Sequence, residues 1–290
     1  MATKSLSKLK SEMVFNQDLT RLVDSMKGVA AAQYHVMEHR KTNLERYTKA
    51  IEELCEVYDF RLSQHPFLRA ANPKKIIGLV TTDSGFLGGL NMKVIQSGLK
   101  QDAPGSVFYI LGERGVSNMR EYGKSIVPFP GINADDTRYE LVERFINRIC
   151  SDVLKGSFGQ VVLVAPYAVS FTVQRVEAWN LIPCPIFFKN KPEKAKTDLE
   201  QEKNTILESP SAQVIEYLTV MWLRKRLIEL FEDAKLAEYG ARTMHLESSY
   251  QTLSKIDKQL KLQFFKARRE KIDQSLRESF TSQLLCKAED

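Results

Sequence analysis

Residues 211–290 read SAQVIEYLTVMWLRKRLIELFEDAKLAEYGARTMHLESSYQTLSKIDKQLKLQFFKARREKIDQSLRESFTSQLLCKAED, with no proline and one glycine, Gly240. Gly and Pro are the residues that most often interrupt helices, so this stretch favours one long helix. A helix over residues 211–285 would span about 112 Å at roughly 1.5 Å per residue. A compact globule of this chain length is only about 50 Å across. We therefore expect the helix to protrude and to need a partner helix along its apolar side.

The N-terminal region has the same character. Residues 1–65 contain no proline and one glycine, Gly28, whereas 12 of the 14 glycines and all 10 prolines lie between residues 66 and 210. Large or apolar residues recur there at steps of mostly three and four, a heptad pattern. They are Leu22, Met26, Val29, Val36, Leu44, Tyr47, Ile51, Leu54 and Tyr58.

A second apolar seam follows the C-terminal stretch. Its members are Leu253, Ile256, Leu260, Phe264, Ala267, Leu276, Phe280 and Leu284. The two seams predict that a helix over roughly residues 5–63 pairs with the C-terminal helix as a long antiparallel coiled coil. The alternative is a bundle of two shorter helices at each end, broken at Gly28 and Gly240.

The middle of the chain predicts an inserted α/β domain with a mainly parallel sheet. Strand-like apolar runs occur at residues 75–82, 106–111 and 160–165, with later candidates at 171–177 and 185–188. Helices are expected at residues 89–99, 114–122 and 136–154. Such alternation indicates parallel strands covered by helices. The predicted domains are an N-terminal coiled-coil helix (1–65), a Rossmann-like α/β domain (66–209) and a C-terminal coiled-coil helix (210–290).

Composition excludes several classes of protein. With 43% apolar residues and a formal charge of +6, the chain can bury a core and is no disordered tail. No apolar run approaches the roughly 20 residues of a membrane helix. The four cysteines are widely spaced and suit reduced thiols of an intracellular protein, and residues 1–15 show no signal peptide.

No catalytic, cofactor or metal site is predicted within this chain. Residues 81–89 follow a strand, where a phosphate loop would sit, but they lack the Walker lysine and hydroxyl and the G-x-G-x-x-G spacing. A tight glycine-requiring turn explains them better. Ser84 lacks a nucleophile elbow, and His35 with His39 lacks the order of a zinc hydrolase.

The basic segment 255–277 has three interpretations: a solvated helix face, a contact with acidic protein loops, or a nucleic-acid helix. The last is disfavoured because the segment offers little aromatic stacking surface.

Four segments together resemble the gamma subunit of F-type rotary ATP synthases, the central shaft. Residues 26–32 (MKGVAAA) are similar to M-K-M-V-A-A-A, and residues 82–91 (TDSGFLGGLN) to S-D-R-G-L-C-G-G-L-N. Residues 238–244 (EYGARTM) and 260–274 (LKLQFFKARREKIDQ) resemble E-H-A-A-R-M and L-x-x-x-Y-N-K-A-R-Q-x-x-I-T-Q. The resemblance is collinear over essentially the whole chain. Ser84 and Leu87 depart from the usual Arg and Cys, which leaves a divergent, mainly hydrolytic motor as an alternative.

The resemblance implies a non-catalytic rotor that turns inside a ring of three alternating alpha- and beta-type subunit pairs. The implied ring contacts are Met26, Lys27, Lys266, Arg268, Arg269 and Gln274. The implied structural loop of the α/β foot includes Asp83, Gly85, Gly88, Gly89 and Asn91. The foot would meet an epsilon-type small subunit and the membrane c-ring, on the cytoplasmic face of a bacterial energy-transducing membrane, with an organellar inner membrane as the alternative. Neither the coupling ion, H⁺ or Na⁺, nor the direction of operation is implied.

Two other functions stay open at this point. A stand-alone α/β enzyme with a coiled-coil dimerisation arm would bind a ligand near residues 84–89. A coiled-coil scaffold would bind nucleic acid through residues 255–277.

Overall fold

The computed structural model describes residues 5–39, 46, 49–53, 60, 63–132, 137–188 and 209–286. The chain divides into two compact units, one made of Met1–Ala31 with Thr243–Asp290 and the other of Ala32–Arg242. We call them the helical unit and the sheet unit. Two long helices, α1 (Leu6–His39) and α5 (Ser211–Cys286), contribute residues to both units.

Both terminal helices pass through their glycines without a break. Helix α1 has 34 residues and includes Gly28, and α5 has 76 residues and includes Gly240. The predicted continuity is confirmed over Leu6–His39 and Ser211–Cys286, and the breaks that the alternative placed at the two glycines are wrong. Residues 40–45, 47–48, 54–59 and 61–62 of the predicted N-terminal helix lie outside the described residues, and with them the predicted seam residues Leu44, Tyr47, Leu54 and Tyr58. The side chain of Leu284, in the predicted seam of the C-terminal stretch, lies outside them as well.

Within the helical unit, α1 and α5 pair in antiparallel fashion, as predicted. The Asn16 side-chain amide donates to the Leu253 carbonyl at 3.1 Å. At the other end of the pairing, Lys27 Nζ lies 3.1 Å from the Glu247 carboxylate. Residue numbers thus rise along α1 while they fall along α5.

The packed face of α1 is one residue away from the predicted seam. The buried residues of α1 in the helical unit are seven apart, and they are Leu9, Asn16, Val23 and Ala30. The predicted seam residues Leu22 and Val29 are 56% and 59% exposed, and Val36 is 51% exposed, so their assignment to the seam is wrong. Of the other described members, Met26 is half-buried and Ile51 is buried.

On α5 the predicted seam holds in part. Leu253, Leu260, Phe264 and Ala267 are half-buried. Ile256, Leu276 and Phe280 are exposed, so their assignment to the seam is wrong.

The sheet unit contains five strands in the order β3-β2-β1-β4-β5. The strands are β1 (Lys75–Val80), β2 (Val107–Leu111), β3 (Ile126–Phe129), β4 (Gln160–Ala168) and β5 (Gln174–Ile182). The first four are parallel and β5 is antiparallel to β4, so the predicted mainly parallel sheet is confirmed. The connecting helices are α2 (Leu90–Leu99), α3 (Glu113–Arg120) and α4 (Thr137–Leu154).

Two strand predictions differ from the structure. The predicted strand at residues 185–188 is a 3-10 turn, Pro185–Phe188. The one at residues 171–177 starts later and extends further, as β5. Strand β3 was not predicted; it has four residues and includes Pro128.

Side chains of the central strand β1 alternate between two cores. Ile76 and Val80 pack with α4 and with α5, whose Leu227 and Phe231 are buried in the same cluster. Ile77 and Leu79 point to the other face, where Val94 and Ile95 of α2 cover them. The first part of α5 is thus a core helix of the sheet unit, which fixes its position against the sheet.

Across the described residues, no helix offers a stretch both long and apolar enough to cross a bilayer.

Candidate functional site

Three loops at the carboxyl edge of the sheet converge on one short stretch of α5, residues 235–242. They are residues 81–89 after β1, residues 130–132 after β3, and the β4–β5 hairpin tip at residues 169–173. We call this arrangement the collar. In open α/β sheets the carboxyl edge is where ligands bind. Here a helix of the same chain occupies that edge.

A buried carboxylate organises the polar side of the collar. Glu238 of α5 is 4% exposed. It accepts a hydrogen bond from the Ser84 hydroxyl at 3.3 Å, and the Arg242 guanidinium bonds both to Ser84 and to Glu238. A buried carboxylate needs such cationic and hydrogen-bonding partners to remain charged.

Lys235 extends this cluster to a second loop. Its ammonium lies 2.9 Å from Glu238 Oε2 and donates to the Ile132 carbonyl at 3.0 Å. The side chains at 235, 238 and 242 therefore hold two loops against one side of α5.

The predicted structural loop forms the first of these contacts. Its glycines Gly88 and Gly89 have left-handed φ values of 57° and 87°. Asn91 donates to Thr82 Oγ1 at 3.0 Å, and Asp83 Oδ1 accepts the backbone N–H of Glu113 at 2.8 Å. Gly85 lies beside the Arg114 guanidinium.

Beneath this loop, Leu87, Leu90 and Ala241 form a small buried apolar cluster. Ser84 and its neighbours are thus engaged with α5 where the enzyme hypothesis would place a ligand.

The hairpin tip contacts α5 at Gly240. A Cβ on this glycine would lie 2.9 Å from Gln174 Nε2 and 3.0 Å from the Phe171 carbonyl oxygen, both closer than van der Waals contact. The Phe171 ring packs edge-on against Tyr34 of α1, with ring centroids 4.8 Å apart. Tyr34, Met37 and Tyr239 are buried together there. The alternative of a bundle placed a helix break at Gly240, whereas the helix continues through it, as the leading prediction had it, and the missing side chain admits the hairpin.

The predicted ring contacts lie in two separate places. Lys27 is half-buried between Asp24 at 2.9 Å and Glu247 at 3.1 Å, with its ammonium 4.5 Å from the centre of the Tyr250 ring. Met26 beside it is also half-buried. Lys266 lies 19 residues beyond Glu247 along α5, about 28 Å away at 1.5 Å per residue.

The second place is the C-terminal part of α5. Lys266, Arg268, Arg269 and Gln274 are all exposed, as is every residue from Arg268 to Thr281. Gln274 donates to the Glu278 carboxylate at 2.9 Å.

Lys27 and Glu247 have shifted pKa values. Hydrogen bonds with Asp24 and then Glu247 raise the pKa of Lys27 above its ordinary 10.5. Hydrogen bonds from Gln251 and then Lys27 lower the pKa of Glu247 below 4.5. This cluster stabilises the pairing of α1 with α5 within the helical unit.

His35 and His39, weighed above as metal ligands, do not form a metal centre in this structure. The His35 ring stacks on Phe171 and its Nδ1 lies 3.6 Å from Glu38. Among the residues that the structure describes, no three His, Cys, Asp or Glu side chains are grouped to hold a metal.

The fold and the collar together define a class of protein in which two long helices are anchored in an α/β body. One of those helices fills the carboxyl edge of the sheet, where other open α/β sheets bind ligands. The profile of a family described as ATP synthase matches residues 5–281. The chain belongs to this ATP synthase family.

Named relatives agree with this membership. The ATP synthase gamma chain of Bdellovibrio bacteriovorus is 23% identical over 281 residues, covering 94% of this chain and 95% of its own. That of Halothermothrix orenii is 27% identical over 267 residues, covering 89% and 91%.

Solved structures share the fold. A chain of the Euglena gracilis mitochondrial ATP synthase, in an OSCP/F1/c-ring structure, has a TM-score of 0.71 at 13% identity and covers 98% of this chain and 95% of its own. A Tetrahymena thermophila chain from a central stalk/c-ring structure has a TM-score of 0.61 at 14% identity, covering 79% and 99%.

These findings confirm the predicted resemblance to gamma subunits of the ATP synthase family.

Proposed function

We propose that this chain is the rotating central shaft of an F-type ATP synthase or ATPase. It couples rotation driven by transmembrane ion flow to ATP synthesis or hydrolysis on partner subunits. The observation that carries the proposal is α5, one uninterrupted helix of 76 residues that is a core helix of the sheet unit and pairs with α1 in the helical unit. Such a helix can link partners at one end to partners at the other, which is coupling between distant sites.

The partners at the C-terminal end of α5 are the alpha- and beta-type subunits of the catalytic ring. Lys266, Arg268, Arg269 and Gln274 are exposed there and can meet acidic loops of the ring. Met26 and Lys27 form a second contact. Because the Lys27 ammonium already has two carboxylate partners, it presents less free charge to the ring than the C-terminal arginines do.

The sheet unit faces the other partners, an epsilon-type small subunit and the membrane c-ring. We place the chain peripherally, on the cytoplasmic face of a bacterial energy-transducing membrane. The bacterial gamma chains among its relatives support this location. In the predicted division of the chain, the foot domain at residues 66–209 would meet the small subunit and the c-ring. The coiled-coil segments at residues 1–65 and 210–290 would meet the catalytic ring.

Affinity purification of the chain with its native partners tests the proposal. We expect two larger nucleotide-binding subunits and a small subunit to co-purify, with ATP hydrolysis located on the larger ones. In membrane vesicles, hydrolysis should pump ions, and an imposed ion gradient should drive ATP synthesis. Pumping without synthesis would indicate the hydrolytic motor. A chain that purifies alone and is strongly stabilised by nucleotides or phosphosugars would contradict the proposal and favour the enzyme.

A further inference from the structure

The collar grips α5 on opposite sides. An α-helix turns 100° per residue, so Glu238 and Gly240 point about 200° apart around the helix axis. Ser84 bonds to Glu238 and Arg242 on one side, while the hairpin tip rests on Gly240 on the other. Two contacts on opposite sides of an axis resist rotation about that axis more effectively than one contact alone.

The two contacts differ in chemistry. The polar side is a buried carboxylate with two cations, one of which also binds the Ile132 carbonyl of a second loop. The opposite side is a close approach, where a Cβ at Gly240 would push against the Gln174 side-chain amide at 2.9 Å and the Phe171 carbonyl oxygen at 3.0 Å. The Tyr34 and Phe171 rings add α1 to the same contact.

We propose that the collar is the joint through which the α/β body applies torque to α5, with Glu238 and Gly240 as its positioning residues. The inference rests on the proposed rotor function and adds the place where force enters the helix. Close-packed protein interiors have low compressibility and transmit strain, so a tight collar makes a stiff joint. Loosening either side should let the part of α5 that follows the collar twist relative to the sheet, while the core-packed part before it stays fixed and the chemistry on the ring is unaffected.

The test is the torsional stiffness of the assembled complex. The ring is fixed to a surface, a bead is attached to the sheet unit, and the angular variance of the bead is measured while the motor is stalled between ATP turnovers. In Gly240→Ala we expect the variance to rise roughly twofold, because one of two opposing contacts is displaced. The unloaded ATP hydrolysis rate of the ring should stay at the wild-type value. Ion pumping per ATP should fall against a high opposing gradient.

Gly28→Ala is the matched control, since it is also a glycine inside a long helix but a Cβ there would meet nothing within 4 Å. Its variance should equal that of the wild type. Glu238→Gln is a second variant that keeps the shape of the side chain and removes the charge. It should raise the variance in the same direction, and it decides the matter if Gly240→Ala does not assemble.

A purely structural role for the collar would lower the yield or thermal stability of the complex and leave the variance of the assembled molecules unchanged. If the variants give that result and the wild-type complex rotates, the proposed joint is overturned and the proposed rotor function is not. A wild-type bead that never turns during hydrolysis would overturn the proposed function and the joint with it.

Discussion

Lys27 lies between two carboxylates, and this makes the pairing of α1 with α5 in the helical unit depend on pH. Its pKa is raised above 10.5 in the folded chain, so its stabilisation is complete below pH 10.5 and is lost as the pH rises through the raised value. The pKa of Glu247 is lowered below 4.5, so its stabilisation is complete above pH 4.5 and is lost as the pH falls through the lowered value. The cluster therefore contributes fully between these limits.

Replacing Lys27 should remove this contribution. We expect Lys27→Met to lower the melting temperature of the purified chain by roughly 1–3 °C at pH 7, a small effect because the pair is partly solvated. The difference from the wild type should vanish well below pH 4. Lys10→Met, an exposed lysine on the same helix, is the control and should change little at any pH. Circular dichroism melts across pH measure both, and equal shifts for the two variants would contradict this role of Lys27.

Cys150 should be chemically inert in the native chain. Burial raises the pKa of its thiol to about 12, so at pH 8 the reactive thiolate fraction is on the order of 10⁻⁴. Cys184 is fully buried as well. Alkylation with iodoacetamide at pH 8, followed by peptide mass spectrometry, should leave both unmodified until the chain is denatured. Rapid labelling of Cys150 in the native chain would show that the α4 packing described above opens readily.

The collar residues show how far single positions can be predicted. A tight turn at residues 81–89 was predicted because glycines between a strand and a helix indicate one, and the resemblance implied Asp83, Gly88, Gly89 and Asn91 as members of a structural loop there. The role of Glu238 could not be predicted from the sequence, because its partner Ser84 is 154 residues away and only the folded sheet brings the two side chains together. Gly240 stands out as the one glycine of residues 211–290. A single glycine in a helical segment is compatible both with a helix break and with a close packing contact, and the sequence does not distinguish the two.

Helix α1 carries two rows of mostly apolar residues, and within each row the residues recur every seven positions. The two rows are displaced from each other by one position. Phe15, Leu22 and Val29 form the exposed row, and Leu9, Val23 and Ala30 belong to the buried one. The sequence favours the wrong row because the buried one contains the polar Asn16 and the small Ala30, while the exposed one is strongly apolar. Asn16 is accommodated by its hydrogen bond to the Leu253 carbonyl.

Two neighbouring aliphatic residues test the register of α1. Val23 is 8% exposed and Leu22 is 56% exposed. Val23→Asp should lower the free energy of unfolding by about 3 kcal/mol, because it places an unpaired charge in the packed seam. Leu22→Asp should change it by less than about 0.5 kcal/mol, as expected for an exposed position. Chemical denaturation monitored by circular dichroism measures both free energies of unfolding. A larger loss of stability in Leu22→Asp than in Val23→Asp would support the seam predicted from the sequence.

The strand errors have local physical reasons. β3 has four residues, stands at a sheet edge and contains Pro128, so it lacks the longer β-branched run that marked β1 and β4. Residues 185–188 are apolar like a strand, but they begin with proline and form a 3-10 turn whose Ile186 and Phe187 are buried in the core. The apolar character of these residues correctly predicted that they are buried, but it predicted the wrong backbone conformation.

At the scale of the whole molecule, the distribution of glycine and proline predicted the most. It indicated continuous helices at both ends and an α/β body between them, because few residues interrupt α1 and α5. The assignment of partners to the two ends came from the resemblance, and it remains a proposal.

Charge reversal tests the assignment of the ring to the C-terminal part of α5. The double variant Arg268→Glu and Arg269→Glu should assemble poorly with the ring or should uncouple hydrolysis from ion pumping by about tenfold, because two attractive contacts become repulsive. Lys155→Glu, an exposed lysine after α4, is the control and should leave coupling unchanged. Coupling in reconstituted vesicles is the measurement, and wild-type coupling in the double variant would contradict this contact.

Rotation of this chain inside its partner ring can be observed directly. The partner ring is immobilised, a bead is fixed to the sheet unit of this chain, and ATP is added under a microscope. We predict continuous rotation in one direction, in steps of one third of a turn that follow hydrolysis. Vigorous ATP hydrolysis by the assembled complex with a bead that only fluctuates about a fixed angle would contradict the proposed rotor function.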